Sequence, residues 1–351
     1  RAIRAMSQPS ATPAARAVEP GAPASPEPRL HVAPGPHLSN QAFTTRRMMF
    51  DVLLGLAPVF VMALAVFRWY AVLQVGLCVA SCLAAEWLFA LWRGRRAPIA
   101  DLSTAVTGVI LGLSLPWSAP WYVGVVASFV AIGLGKAVFG GLGQNIFNPA
   151  MVGRAFVMIS FASVMGATSY VRPGATIEIL TQATPLTAAK ETAGADLPGL
   201  WIMFLGNING SLGETSVLAC LLGGLYLCWR RAASWETPLS VLLGAVLVAG
   251  MANLIDPGTP LTVLHHLLGG SLVFGAFFIA TDPVTSPLTR RAKVAYGLGI
   301  GALVVLIRLF SNYPEGVVFA VLLMNAMVPL INRWMVPLPL GAIRKKRGES
   351  S

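Results

Sequence analysis

Residues 48–68 have the sequence MMFDVLLGLAPVFVMALAVFR, in which only Asp51 and Arg68 carry charge. A helix needs about 20 mainly apolar residues to cross the hydrocarbon core of a bilayer, and this run is long enough. The rest of the chain is similarly apolar: 56% of its 351 residues are hydrophobic, 11% are charged, and the mean hydropathy is +0.71. Soluble domains contain about 25% charged residues. The sequence therefore predicts an all-α integral membrane protein that lies in a lipid bilayer.

Nine further segments resemble this run in hydropathy. Several are short and contain Gly or Pro, which favours broken or tilted helices packed inside a bundle. We therefore predict about ten transmembrane helices, in the segments 48–68, 70–92, 102–117, 120–139, 150–168, 213–229, 238–255, 261–280, 294–310 and 314–333.

Lysine and arginine indicate the orientation, because they are enriched on the cytoplasmic side of membrane proteins. With the N-terminus inside, most basic residues fall at cytoplasmic helix ends, and the C-terminus is also cytoplasmic. The net charge of +11 is thus a topology signal and does not indicate nucleic-acid binding, since no single basic stripe forms. The longest interruption, residues 169–212, is placed outside. The outer side receives only Arg68, Arg172, Lys190 and Arg308.

The two ends of the chain are polar. Residues 1–42 are rich in Pro, Ala, Ser and Arg, which predicts a disordered cytoplasmic arm because little apolar surface is available to offset the ordering entropy. The arm has no apolar core of its own, so a cleavable signal peptide is not expected, and Met6 is an alternative start. Residues 335–351 form a basic cytoplasmic tail.

The two halves of the membrane region resemble each other. Each has a Gly-containing segment, then a Gly-x-Gly helix, then an Asn-containing motif (residues 148–154 and 325–333). Since each half has five spans, the repeats 43–168 and 213–334 would be inverted in the membrane. The alternative is that Gly-rich helices resemble one another by composition alone.

Carboxylates within or near spans are candidates for an ion path, because ionisable groups in the bilayer are costly and usually functional. Glu86 and Asp101 fall near the inner end of the first repeat, together with Asp51, Lys136 and Arg154. These groups could instead pair among themselves. Glu214 stands near the outer end of the sixth span, where it could equally cap the helix.

Two polar stretches at inner helix ends are candidates for a cofactor site. Asn148-Pro149 precedes a helix whose first N–H groups would attract an anion, with Arg154 one turn further on. Thr281, Asp282, Thr285 and Ser286 offer a carboxylate and three hydroxyls, a pocket for a flavin ring or a cation. The alternative at residues 281–286 is a capped turn between helices.

The outer loop contains the polar stretch EILTQATPLT at residues 178–187. It resembles the site at which a flavin transferase joins FMN to threonine through a phosphoester. Thr181, Ala183 and Thr184 match that motif, Glu178 stands at its acidic position, and Gln182 replaces the usual Gly. The resemblance implies covalent FMN on Thr184, with Thr181 and Thr187 as competing acceptors.

Three further stretches, residues 44–52, 140–156 and 281–287, are similar to signatures of the RnfD/NqrB family, with the likeness covering about residues 40–335. The short N-terminal region favours RnfD. The resemblance implies a flavin-carrying member of an ion-translocating ferredoxin:NAD oxidoreductase complex in the bacterial inner membrane, coupled to Na⁺ or H⁺. It also implies the A, B, C, E and G subunits of the Rnf complex as partners, a flavin transferase and a second flavin such as riboflavin.

No complete active site of an enzyme is expected in this chain alone. There is no Ser–His–Asp set, no P-loop and no GxGxxG after a strand. The four cysteines lie inside apolar segments, so no metal site is predicted. The alternative function is a flavin-free channel or secondary transporter with inverted repeats, from which a flavinylated Thr184 would distinguish the redox protein.

Overall fold

The computed structural model describes residues 44–94, 99–166, 169–171, 179–181, 199–206, 210–257, 261–311 and 316–335. The predicted arm at 1–42, the flavin acceptor Thr184 and nearly all of the predicted tail lie outside these residues. Where the chain is described, it is mostly helical, as the sequence predicts.

The first half contains six helices. The first begins at a cap in which Thr44 accepts a hydrogen bond from the N–H of Arg47. The fourth continues beyond Ile132 as a π-helical turn, Gly133–Ala137. The helices are α1 (Thr45–Phe67), α2 (Trp69–Trp92), α3 (Ser103–Ser114), α4 (Trp121–Ile132), α5 (Pro149–Ser160) and α6 (Ala162–Gly166).

The predicted outer loop contains a short antiparallel hairpin, in which β1 (Ser169–Val171) pairs with β2 (Ile179–Thr181) so that Tyr170 faces Leu180. It also contains a short helix, α7 (Leu200–Leu205).

The second half contains six helices, of which two are fragments of one predicted span. That span, 261–280, is broken at Gly269 and ends in a second π-helical turn, Gly275–Ile279. The helices are α8 (Val217–Trp229), α9 (Glu236–Ile255), α10 (Val263–Leu268), α11 (Leu272–Phe274), α12 (Arg290–Phe310) and α13 (Val317–Trp334).

Five of these helices, α1, α2, α9, α12 and α13, are long and apolar enough to cross a membrane. Four others are apolar but shorter: α3, α4 with its π turn, α5 and α8. The all-α membrane class is therefore confirmed. The count of ten spans and the inverted repeat remain predictions. The positions of the two π turns do not support the inverted repeat, because one turn lies in the fourth predicted span of the first half and the other in the third predicted span of the second half.

A buried non-helical segment, residues 210–216, precedes α8. Pro116 and Ser211 form a β-bridge, and the N–H groups of Leu212 and Gly213 donate to the carbonyls of Leu115 and Leu113 at 3.3 and 2.7 Å. The helix of the predicted sixth span begins at Val217, four residues after the predicted start of that span. The limits of the span and of the outer loop remain predictions.

The cap of α8 is Ser216, whose hydroxyl accepts from the N–H of Ala219. Glu214 lies two residues before this cap. Ser216 therefore holds the N-cap position, and the role of Glu214 remains a prediction.

Helices α1 and α8 pack with their backbones in contact. A Cβ added at Gly223 would lie 1.9 Å from the carbonyl oxygen of Gly55, so only glycine fits at this crossing. Small residues that permit such an approach are typical of helix interfaces in membranes. The crossing brings the inner ends of α1 and α8 together at the cavity described next.

Candidate functional site

A cavity, about 750 Å³ including its open mouth, lies where α1, α3 and α5 begin. Most of its wall is apolar, and α1, α3, the start of α5 and the stretch 278–284 all contribute. Three of the predicted cofactor residues, Asn148, Thr281 and Asp282, lie in this wall, although Asn148 is 134 residues from Asp282 in the chain. The fold therefore brings the two polar stretches together in one pocket.

Asn148 and Asp282 form the polar corner of this cavity. The Asn148 Nδ2 donates to Asp282 Oδ2 at 3.5 Å, while Asn148 Oδ1 accepts from the N–H of Met151 at 3.3 Å and caps α5. Pro149 follows at the first helical position, where its missing N–H costs nothing. The side-chain amide thus joins the start of α5 to the loop that carries the carboxylate.

Asp282 is held by its own loop as well. Its Oδ1 accepts from the N–H of Val284 at 3.2 Å, and its Oδ2 accepts from the hydroxyl of Thr285 at 3.0 Å. Burial raises the pKa of Asp282, and the hydrogen bonds from Val284 and Thr285 partly oppose this. A carboxyl group with a raised pKa protonates more readily than usual.

The other two predicted hydroxyls face away from the opening. Thr281 lines the cavity, but its hydroxyl donates to the carbonyl of Phe277 at 2.6 Å. Ser286 is buried behind the loop, and its N–H donates to the carbonyl of Asp282 at 3.1 Å. Residues 281–286 therefore form a capped turn, and that turn is also part of a cavity wall.

The cavity has the character of a site for a flat, largely apolar ligand. Such sites are mainly hydrophobic with a few placed polar groups. Met48, Val106 and Phe278 supply apolar walls, and the Asn148–Asp282 corner supplies donors and acceptors. These residues fit a flavin ring, whose edge carries nitrogen and oxygen atoms.

Glu86 and Lys136 form a buried ion pair at 2.6 Å. The Lys136 ammonium also donates to Ser103 Oγ at 2.9 Å and Thr104 Oγ1 at 3.0 Å. Asp101 lies beside the pair, and its Oδ1 accepts from both the N–H and the hydroxyl of Ser103, the first residue of α3. A second cavity, about 810 Å³ including its open mouth, is lined by Glu86, Asp101 and Lys136. Two of the three ion-path candidates therefore lie together.

Arg154 and Glu214 form a second buried pair, at 3.2 Å, with side chains 3% exposed. This pair joins α5 to residues 210–216, the non-helical segment before α8. Arg154 does not belong to the cavity wall that contains Asn148, and Glu214 lies apart from Glu86 and Asp101. Their roles as a cofactor ligand and an ion-path residue remain predictions.

The sequence analysis did not predict the partners of two charged residues, because no local sequence pattern indicates them. Arg308, predicted to lie at the outer surface, is 2% exposed and donates to the carbonyls of His266 and Gly269 at 2.6 and 2.9 Å. It satisfies backbone groups that the break between α10 and α11 leaves open. Asp51 pairs with Arg230 at 3.3 Å across the α1–α8 crossing, a partner that sequence reasoning did not identify.

Comparisons with known proteins were made over the whole chain. The chain is 41% identical to the D subunit of an ion-translocating oxidoreductase complex of Stutzerimonas stutzeri, with 86% of this chain and 93% of that protein covered. It is 38% identical to the D subunit of a Na⁺-translocating ferredoxin:NAD⁺ oxidoreductase complex of Acetobacterium woodii, with 87% and 93% covered. A proton-translocating counterpart from Clostridium ljungdahlii is also 38% identical, with 85% and 92% covered. Residues 31–341 match the NQR2, RnfD, RnfE family, and the chain belongs to that family.

Proposed function

We propose that this protein is a flavin-carrying membrane subunit of a redox-driven ion pump that passes electrons between ferredoxin and NAD through partner subunits. The family match across residues 31–341 carries this proposal. It is supported by relatives whose names describe the D subunit of Na⁺- and proton-translocating ferredoxin:NAD⁺ oxidoreductase complexes. The coupled ion is Na⁺ or H⁺, since the relatives include both.

The proposed assembly follows from the same relatives. The A, B, C, E and G subunits of the complex would supply the nicotinamide and iron–sulfur sites, and a flavin transferase would modify this chain. The protein would lie in the bacterial inner membrane with both termini in the cytoplasm and residues 169–212 on the outer side.

Two flavins are part of the proposal. FMN would be attached through a phosphoester to Thr184, and a second flavin, such as riboflavin, would bind without a covalent bond in the cavity of Asn148, Thr281 and Asp282. When bound, a flavin accepts and releases electrons one or two at a time. The chain's own residues would position the ring: apolar side chains exclude water, and the Asn148–Asp282 corner orients a polar edge.

The covalent flavin is tested by Thr184→Val, which is close in shape to threonine but lacks the hydroxyl. The denatured wild-type band should fluoresce under ultraviolet light and the Thr184→Val band should not, while mass spectrometry should find FMN on the wild-type peptide. Thr187→Val is the matched control and should keep its fluorescence. An unmodified Thr184 in cells with an active flavin transferase would refute the assignment and favour the flavin-free transporter.

The second flavin is tested by filling the cavity. Val106 lies in the cavity wall, so Val106→Phe should place a ring in the space and reduce the flavin that acid extracts from the purified protein. Val109→Phe, three residues along the same helix and outside the wall, is the control and should leave that flavin unchanged. Equal flavin contents in wild-type protein and Val106→Phe would contradict the cavity assignment.

A further inference from the structure

Lys136 sits in a cage of oxygen atoms built from separate elements. Glu86 comes from α2, Ser103 and Thr104 come from the first turn of α3, and Lys136 itself comes from the π turn that ends α4. The three distances from the ammonium nitrogen are 2.6, 2.9 and 3.0 Å, so each of its three N–H groups has an acceptor. Lys136 is 3% exposed and Thr104 is 1% exposed.

The cage contains the ligands that a small metal cation prefers. Carboxylate and hydroxyl oxygens are typical ligands of hard cations, and the cage has one carboxylate and two hydroxyls. The second carboxylate oxygen, Glu86 Oε2, is buried and has no hydrogen-bond partner among the described residues. The ammonium therefore leaves one negative oxygen of the cage unsatisfied.

While Glu86 is ionised, its buried charge requires a cation nearby. A buried carboxylate left without its partner is strongly destabilising, because its charge has been removed from water. In the structure Lys136 supplies the compensating charge. An ion of the same charge could supply it equally well, provided that the ammonium moved away.

The second cavity gives an ion a route to the cage and gives the ammonium a place to go. Glu86 and Lys136 both line it, and the carboxylate of Asp101 lies in the same wall. The positive end of α3 begins at the cage and weakens the binding of any cation, which favours release. π-Helical turns such as the one that carries Lys136 are frequent at functional sites.

We propose that Glu86, Ser103 and Thr104 form a binding site for a small monovalent cation, and that Lys136 is a tethered cation that competes for it. One positive charge always balances Glu86: either the ammonium is in the cage, or an ion is there and the ammonium has moved into the second cavity. The inference deepens the ion-translocating part of the proposed function and does not depend on either flavin.

The test measures Na⁺-dependent thermal unfolding of the full chain in lipid nanodiscs, with N-methyl-D-glucamine replacing Na⁺ at constant ionic strength. A ligand that binds only the folded state stabilises it increasingly as its concentration rises above the Kd. Lys136→Met should empty the cage of its ammonium, so its Tm should rise with the logarithm of Na⁺ concentration. The wild-type Tm should rise much less, because the ammonium competes.

Two controls isolate the cage. The double variant Lys136→Met/Glu86→Gln removes both charges and should not respond to Na⁺. Arg154→Met removes the cation from the other buried pair, and since Glu214 lies outside both cavities, its Tm should be independent of Na⁺. Equal responses in Lys136→Met and the double variant would overturn the proposal.

Lys136→Gln provides a second route if Lys136→Met accumulates poorly, because its amide can still donate to Glu86. Recovery of either variant only in Na⁺-containing medium would support the site. Failure of both in every medium would show that the ammonium itself is indispensable and would overturn it. Flavin fluorescence of the same samples distinguishes the cation site from the flavin assignment. Loss of the Na⁺ response while flavin is present rejects the cation site alone. Absence of flavin while the Na⁺ response is intact rejects the flavin assignment alone.

Discussion

The crossing of α1 and α8 leads to a quantitative prediction for Gly223→Ala. The new methyl group would lie 1.9 Å from the carbonyl oxygen of Gly55 and 2.9 Å from the ring of Phe278. The first contact is with backbone, so a rotamer change cannot relieve it. The helices must separate by about 1 Å, and overpacking of this kind costs about 1–3 kcal/mol, occasionally more. This loss exceeds the gain in helix propensity, about 1 kcal/mol, that Gly→Ala normally brings.

The matched control is Gly250→Ala, in α9, where a Cβ would meet nothing within 4 Å. Both variants gain the same helix propensity, so the free energy of unfolding of Gly250→Ala should exceed that of Gly223→Ala by the overpacking cost, about 1–3 kcal/mol. Thermal unfolding in one detergent, followed by size-exclusion chromatography, measures the difference. Because α1 and α8 both line the first cavity, Gly223→Ala should also lose non-covalent flavin. Equal Tm values for the two variants would refute the backbone contact.

Two further predictions concern buried charge. Arg154→Met alone should destabilise the protein by about 3–5 kcal/mol because the buried ion pair with Glu214 is broken. The double variant Arg154→Met/Glu214→Leu should recover most of that loss. Tm values measure both effects, and a double variant that is no more stable than the single one would contradict the prediction. Burial raises the pKa of Asp282 above its ordinary 3.8, so this group lowers the stability of the fold as pH rises from that value through the folded-state pKa. Asp282→Asn cannot ionise, and its Tm relative to wild type should therefore be higher at pH 7 than at pH 4; a difference independent of pH would count against the buried carboxyl.

Helix positions were predictable from sequence because long apolar runs leave few other structures possible in a bilayer. The start of α5 is the clearest local case: Asn148 and Pro149 predict a capped helix, and the structure has the cap and the first-turn proline at those residues. The residues of the turn at 281–286 were also recognised as a candidate pocket. Their partner across the pocket, Asn148, was identified separately without any sign that the two would meet.

The missed features depend on contacts between residues far apart in the chain. The non-helical segment 210–216 adjoins an apolar run, so hydropathy extends the helix into it, whereas the structure pairs its backbone with residues 113–116. Arg308 was counted as a charge of the outer side, and its place along the chain does not indicate that it binds the carbonyls of His266 and Gly269. Glu86 and Lys136 are 50 residues apart, and no spacing rule joins them.

The pairing of Leu212 and Gly213 with Leu115 and Leu113 also constrains how the chain is assembled during synthesis. The carbonyls at the end of α3 are inserted long before their partners leave the ribosome. Unpaired backbone groups within a bilayer cost several kcal/mol each. The carbonyls at this end of α3 must therefore bind water or other partners until residues 212 and 213 are made. The first half of the chain thus does not complete its own structure. Two half-chains produced as separate polypeptides should be degraded when made singly and should accumulate together, as one membrane-inserted unit, when made in the same cell.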